Sequence, residues 1–134
     1  MRYVLTYVFT AVVFCVLDLA WVMTVVHDIF AARIGALLAT PPNLVAAGLF
    51  YIGYPAGIVV FAVVPAARRD STGTAAALGA LLGLMAYGTY ETTNMSTLRD
   101  WTWTLVAIDT GWGTFVTACS AMAGRLLFAR FAAA

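Results

Sequence analysis

The sequence predicts an all-α integral membrane protein, a bundle of four transmembrane helices with a short interfacial helix between helices 1 and 2. Three observations carry this. The chain is 63% hydrophobic and 10% charged, with a mean hydropathy of +0.94, where an ordinary soluble domain is roughly 25% charged. It contains four apolar runs, each of about the 20 residues that one crossing needs. Those runs would use about 80 residues, leaving too little for a second domain, so residues 1–134 form a single transmembrane domain.

The first run covers about residues 4–25 and carries Asp18. It is too long for a signal-peptide core and lacks a small-residue cleavage site beyond it, so it reads as a retained helix. Residues 28–40, DIFAARIGALLAT, place Ile29, Phe30, Ile34, Leu37 and Leu38 largely on one side around a single internal charge, Arg33. That pattern fits a helix lying at the membrane surface. Pro41, Pro42 and Asn43 break the chain before a second run at about 44–64, which Pro65 is expected to close.

A third run, about 74–93, is rich in Ala and Gly. A fourth, about 102–124, follows the loop NMSTLRDW, and the tail RLLFARFAAA is able to extend it. Gly53 with Gly57, and Gly79 with Gly83, are small-residue pairs at spacing four, which let helix backbones approach closely within a chain or between chains. Pro55 removes a backbone donor in mid-span and should bend or loosen the second helix.

Four crossings put both termini on one side, with Arg2, Arg68, Arg69, Arg125 and Arg130 against Arg33 and Arg99 opposite. This asymmetry predicts cytoplasmic termini in a bacterial inner (plasma) membrane. Tyr3 and Tyr7 at one face and Trp101 and Trp103 at the other read as interfacial aromatic belts.

Composition also excludes several chemistries. A net charge of +1 leaves no positive field for a nucleic-acid backbone. All seven basic residues are Arg, so no lysine can form a retinal or pyridoxal Schiff base. His27 is the single histidine and reads as an interfacial polar residue; alone it supplies neither a pair of haem ligands nor a histidine-rich di-iron site. Cys15 and Cys119 lie in apolar runs without zinc-site spacing and read as small buried hydrophobes. No cofactor and no metal are expected.

The informative feature is three acids within the apolar runs, Asp18, Glu91 and Asp109. At 1.5 Å per residue they lie about 21, 26 and 20 Å from the cytoplasmic side of a core of about 30 Å, in one layer of its outer half. Trp21, Tyr51, Tyr54 and Trp112 reach similar depth, and Tyr87, Glu91 and Asn94 share a helix face. A carboxylate facing lipid costs several kcal/mol, so these groups should point into the bundle or a wet cavity. Three acids converging in a low-dielectric site do not all stay ionised without a cation. The plainer alternative is interhelical hydrogen bonding between isolated acids and Tyr, Trp or Thr.

The stretches VLDLAW at 16–21, NLVAAGLFYIGYPAGIVVFAVVPA at 43–66, YGTYETTNMSTLRDW at 87–101 and IDTGWGT at 108–114 resemble a bacterial family of small membrane proteins catalogued as a domain of unknown function. The resemblance covers nearly the whole chain and implies a four-helix inner-membrane protein. Asp18, Trp21, Asn43, Tyr51, Tyr54, Asn94, Trp101, Asp109 and Trp112 match its pattern; Glu91 stands where Asp is more usual.

Three classes of function follow. The leading one is a carboxylate- and aromatic-lined intramembrane pocket that binds a lipid or isoprenoid-like small molecule. Trp21, Tyr51, Tyr54, Tyr87, Asn94 and Trp112 would be its lining, and Asp18, Glu91 and Asp109 the candidate acid/base groups. As an enzyme it would isomerise or cyclise by proton addition and removal; hydrolysis by a Ser, His and Asp set finds no nucleophile setting. The alternatives are a small proton- or cation-coupled transporter acting as a homo-oligomer, and an accessory or structural subunit of a larger membrane complex.

Overall fold

The computed structural model describes residues 1–131; the side chain of His27 and residues 132–134, the last of the predicted tail, lie outside the described set. The chain is all-helical, with no strand among the described residues. Helix α1 (Arg2–Trp21) runs through a π-helical turn, Val22–Val26, into α2 (His27–Ile34) and a 3-10 turn, Gly35–Leu37. Helix α3 (Leu44–Ile58) continues through a second π-helical turn, Val59–Val63, into α4 (Val64–Arg68). Two long helices, α5 (Thr72–Thr97) and α6 (Trp103–Arg130), complete the bundle.

Two stretches, Arg2–Val26 and Leu44–Arg68, are long and apolar enough to cross a membrane. At 25 residues each they extend about 37 Å, more than a bilayer core of about 30 Å. Helices α5 and α6 are as long, at 26 and 28 residues, but more polar.

Local chemistry sets the helix ends. Asn43 Oδ1 accepts from the N–H groups of Val45 and Ala46, both at 3.1 Å, and starts α3 after the two prolines. Ser71 Oγ does the same for α5 through Thr74 N–H at 3.1 Å. Each such cap is worth about 1 kcal/mol. Helix α3 continues through Pro55, and the looser winding comes one turn later, between Pro55 and Pro65. Pro65 does not close the run as expected. It falls in the first turn of α4, where a missing N–H leaves no helical bond unmade. The turn comes instead after Arg68, with Asp70 at φ 49°.

The segment predicted as a helix over 28–40 is helical over His27–Leu37 and ends before Pro41. Phe30 and Ile34 are buried against Trp101, Leu105 and Val106, while Leu37 and Leu38 are exposed. Arg33 Nη1 donates to Thr102 Oγ1 at 2.8 Å, tying this segment to the start of α6.

The opposite end of the bundle is closed by Arg125, nearly buried, which pairs with Asp70 in the turn between α4 and α5. There the Arg2 guanidinium also sits 4.8 Å from the centre of the Phe128 ring. The two ends are thus assigned: residues 33 and 102 at one, residues 2, 70, 125 and 128 at the other.

The closest packing joins α5 and α6. A Cβ on Gly79 would come within 2.8 Å of Ala121 Cβ and 2.9 Å of the Thr117 carbonyl, and one on Gly83 would overlap the Gly113 carbonyl. Without a hydrophobic drive between helices in lipid, such contact is a main source of association. The other glycine pair behaves differently. Gly53 has open space beside it and Gly57 meets only Phe61 of its own run, so this pair makes no close helix contact among the described residues.

Candidate functional site

Asp18 is the point where the bundle's helices meet. It is 5% exposed and accepts three hydrogen bonds, from Tyr51 Oη at 2.9 Å, Tyr87 Oη at 3.2 Å and Trp112 Nε1 at 3.0 Å. The donors come from α3, α5 and α6, so one carboxylate on α1 links all four long elements. Tyr87 reaches it across Gly113, where a side chain would overlap the tyrosine ring. Trp112 also stacks on Trp21, with ring centres 4.5 Å apart and planes within 2°. That pair joins α6 to the end of α1.

A second acidic group lies beside this hub. Glu91 is fully buried, and its Oε2 accepts from Trp101 Nε1 at 2.7 Å. Asp109 stands near Glu91 and Trp21, within electrostatic reach of both Glu91 and Asp18. Glu91 Oε1 and Trp21 Nε1 are buried, and neither has a partner at hydrogen-bonding distance. The three acids therefore stand together inside the bundle, with unequal hydrogen-bond complements.

A cavity of about 550 Å3 opens over this cluster. Asp18 and Asp109 line it, with Trp21, Tyr51, Tyr54 and Tyr87 from the expected set. Glu91 and Trp112 stand behind that wall, holding Trp101 and Asp18. Asn94 does not line the cavity; it lies one helical turn from Tyr90, within side-chain reach of it. Tyr54 Oη shares a 2.9 Å hydrogen bond with Thr117 Oγ1, which fixes its ring between Phe14 and Tyr87.

Several lining residues were not assigned to a pocket by sequence reasoning. Phe30 and Ile34 of α2, Phe50 of α3 and Tyr90 of α5 all border the cavity. Trp101, read as an interfacial belt residue, is 7% exposed and packs edge-on against Phe30 and Tyr90. Its signal was its place just beyond the turn after α5, which folds it back over Glu91. Trp103, by contrast, is 68% exposed. Cys15 and Cys119 are free thiols, half-buried instead of buried.

The cavity offers acids, phenols and indoles, the inventory for moving a proton or holding a polar handle beside apolar surface. Among the described residues, no group of three or more His, Cys, Asp or Glu side chains is placed to hold a metal ion.

No curated protein and no solved structure matches the chain. The agreement is with a family: residues 3–126 match the one described as predicted membrane protein (DUF2177), and the chain belongs to it.

Proposed function

We propose that the chain crosses a bacterial inner membrane four times with both ends cytoplasmic, and that its cavity binds a lipid or isoprenoid-like small molecule in the outer half of the bilayer. The observation that carries this reading is the cavity of about 550 Å3. It falls within the range of small-molecule sites, which are mostly apolar with a few convergent polar groups. Asp18 and Asp109 supply those groups, and Tyr and Trp rings the apolar walls.

The topology is supported by the two ends of the bundle. Arg33 meets Thr102 at one, and Arg125 meets Asp70 at the other. That arrangement matches an arginine distribution of two against five. In this frame α2 lies at the outer surface, with Phe30 and Ile34 turned into the bundle to roof the cavity. If the site is reactive, Glu91 and Asp109 suit acid–base isomerisation or cyclisation of an apolar substrate, one acid giving a proton and the other receiving it.

The test is mass spectrometry of the small molecules that leave with the gently purified protein. The expected result is one apolar or amphipathic compound at near one copy per chain, lost when Trp21→Ala opens the cavity wall. A second reading, an accessory subunit of a larger complex, draws on the open face at Gly53 and Gly57. Stoichiometric co-purification with a larger protein, without a bound small molecule, would replace the first reading by the second.

A further inference from the structure

Resting on the reading of the cavity as a ligand site, the hydrogen-bond accounting of its walls says what the polar end of the occupant is. Most donors near the cavity are already committed. Tyr51 and Tyr87 donate their only proton to Asp18, and Trp101 donates to Glu91. Tyr54 shares its hydroxyl with Thr117, the Trp21 indole N–H faces Asp109, and the Tyr90 hydroxyl lies beside Asn94. None of the seven arginines lines the cavity, and the chain has no lysine. A phosphate or carboxylate entering here would meet two lining acids and no cation, with only the Trp21 N–H and the Tyr90 hydroxyl left as donors. Burying an anion so poorly matched costs several kcal/mol.

The acceptors show the reverse. Glu91 is 0% exposed, and its Oε1 ends unpartnered beside Asp109, which lines the cavity. Two carboxyl groups side by side in an apolar bundle share a proton or take a positive charge beside them. The surrounding walls are aromatic, and the π-faces of Trp and Tyr attract cations. Apolar side chains from α2 and from the π-helical turn before it, among them Val22, Val26, Phe30 and Ile34, line the rest of the space and suit a hydrocarbon chain.

We infer that the cavity takes an amphiphile by an ammonium group, seated at Asp109, which Glu91 backs from behind the wall, within the aromatic walls, with its hydrocarbon chain against the apolar lining from residues 22–38. Phosphorylated isoprenoids and free fatty acids are then excluded as occupants by their charge, although their chains would fit.

The experiment uses the full chain in micelles of dodecyl maltoside, a neutral detergent without an ammonium group, with empty micelles as the baseline for partitioning. Hexadecylamine, hexadecanol and palmitate share one chain and differ in the head. The expected result is saturable retention of hexadecylamine at one per chain, on the order of tenfold tighter than hexadecanol, the step separating a charge-assisted from a neutral contact, with no retention of palmitate. Asp109→Asn should reduce hexadecylamine binding about tenfold and leave hexadecanol unchanged.

Equal retention of hexadecylamine and hexadecanol, or preference for palmitate, overturns the ammonium assignment and leaves the cavity reading standing. Retention of none of the three overturns both. These comparisons are made on the unaltered chain, so they hold even if Asp109→Asn fails to fold. Adding phosphatidylethanolamine to the micelles identifies the source: displacement of hexadecylamine assigns the ammonium to a lipid headgroup, and undiminished binding assigns it to a single-chain amine.

Discussion

Asp18 and the Glu91–Asp109 pair are neighbours in one bundle, yet they are held in opposite ways. Asp18 is surrounded by donors from three other helices, all within 3.2 Å. Glu91 has one donor, Trp101, and an oxygen with no partner, beside a second acid. An acid with a full complement of donors fixes helix positions, and removing it strands every group that points at it. An acid left short of donors has capacity for something that arrives later. The difference separates glue from site within a single polar layer.

The most damaging way to probe this comparison is Asp18→Ala. It leaves two phenols and an indole without their acceptor, and should cost at least about 3 kcal/mol, from about 1–3 kcal/mol for each buried donor left unpaired. Thermal unfolding in detergent measures it; a loss below about 1 kcal/mol would mean that the hub is not structural and would dissolve the distinction. Gly113→Ala comes next. The added methyl meets the Tyr87 ring and displaces the hydroxyl that reaches Asp18. About 1–3 kcal/mol of overpacking is expected in the same melt.

Asp109→Asn sharpens the comparison from the other side. It keeps size and hydrogen-bonding capacity but cannot ionise, so unfolding should move by less than about 1 kcal/mol while retention of the bound small molecule falls. Normal folding with undiminished retention would make ionisation at this site irrelevant. Gly53→Ala is the smallest effect. With open space around it the methyl meets nothing, and the reduced backbone freedom should stabilise the helix by about 0.4–1 kcal/mol. A destabilisation in detergent, or loss of a protein partner, would show that this face is occupied.

The helices were legible in the sequence because the apolar runs and the breaks between them, Pro41–Asn43 and the Arg-bearing turns, mark the same segments; the caps of Asn43 and Ser71 emerged only in the structure. The prominence of Asp18, Glu91 and Asp109 was legible for a related reason: acids in apolar runs are expensive and must turn inward. Which faces turn inward was not. In a chain this apolar, α3 and α5 show no hydrophobic side to orient them, so Gly53–Gly57 and Gly79–Gly83 read alike although only the second pair meets another helix. Pro65 was misread because a proline that ends one run also suits the start of the next helix. Trp101 was hidden because a tryptophan near a helix end reads equally as a belt residue or as a donor folded onto a buried acid.

The separations of Asp18 from its donors also set an order of events during synthesis. Tyr51, Tyr87 and Trp112 follow it by 33, 69 and 94 residues. At ribosomal speeds of about 5–20 residues per second, the last donor is made roughly 5–20 s after the acid. Helix α1 is therefore made before any of the three donors exists, and they reach Asp18 one element at a time. Until Trp112 is made, the centre of the fold lacks its last donor.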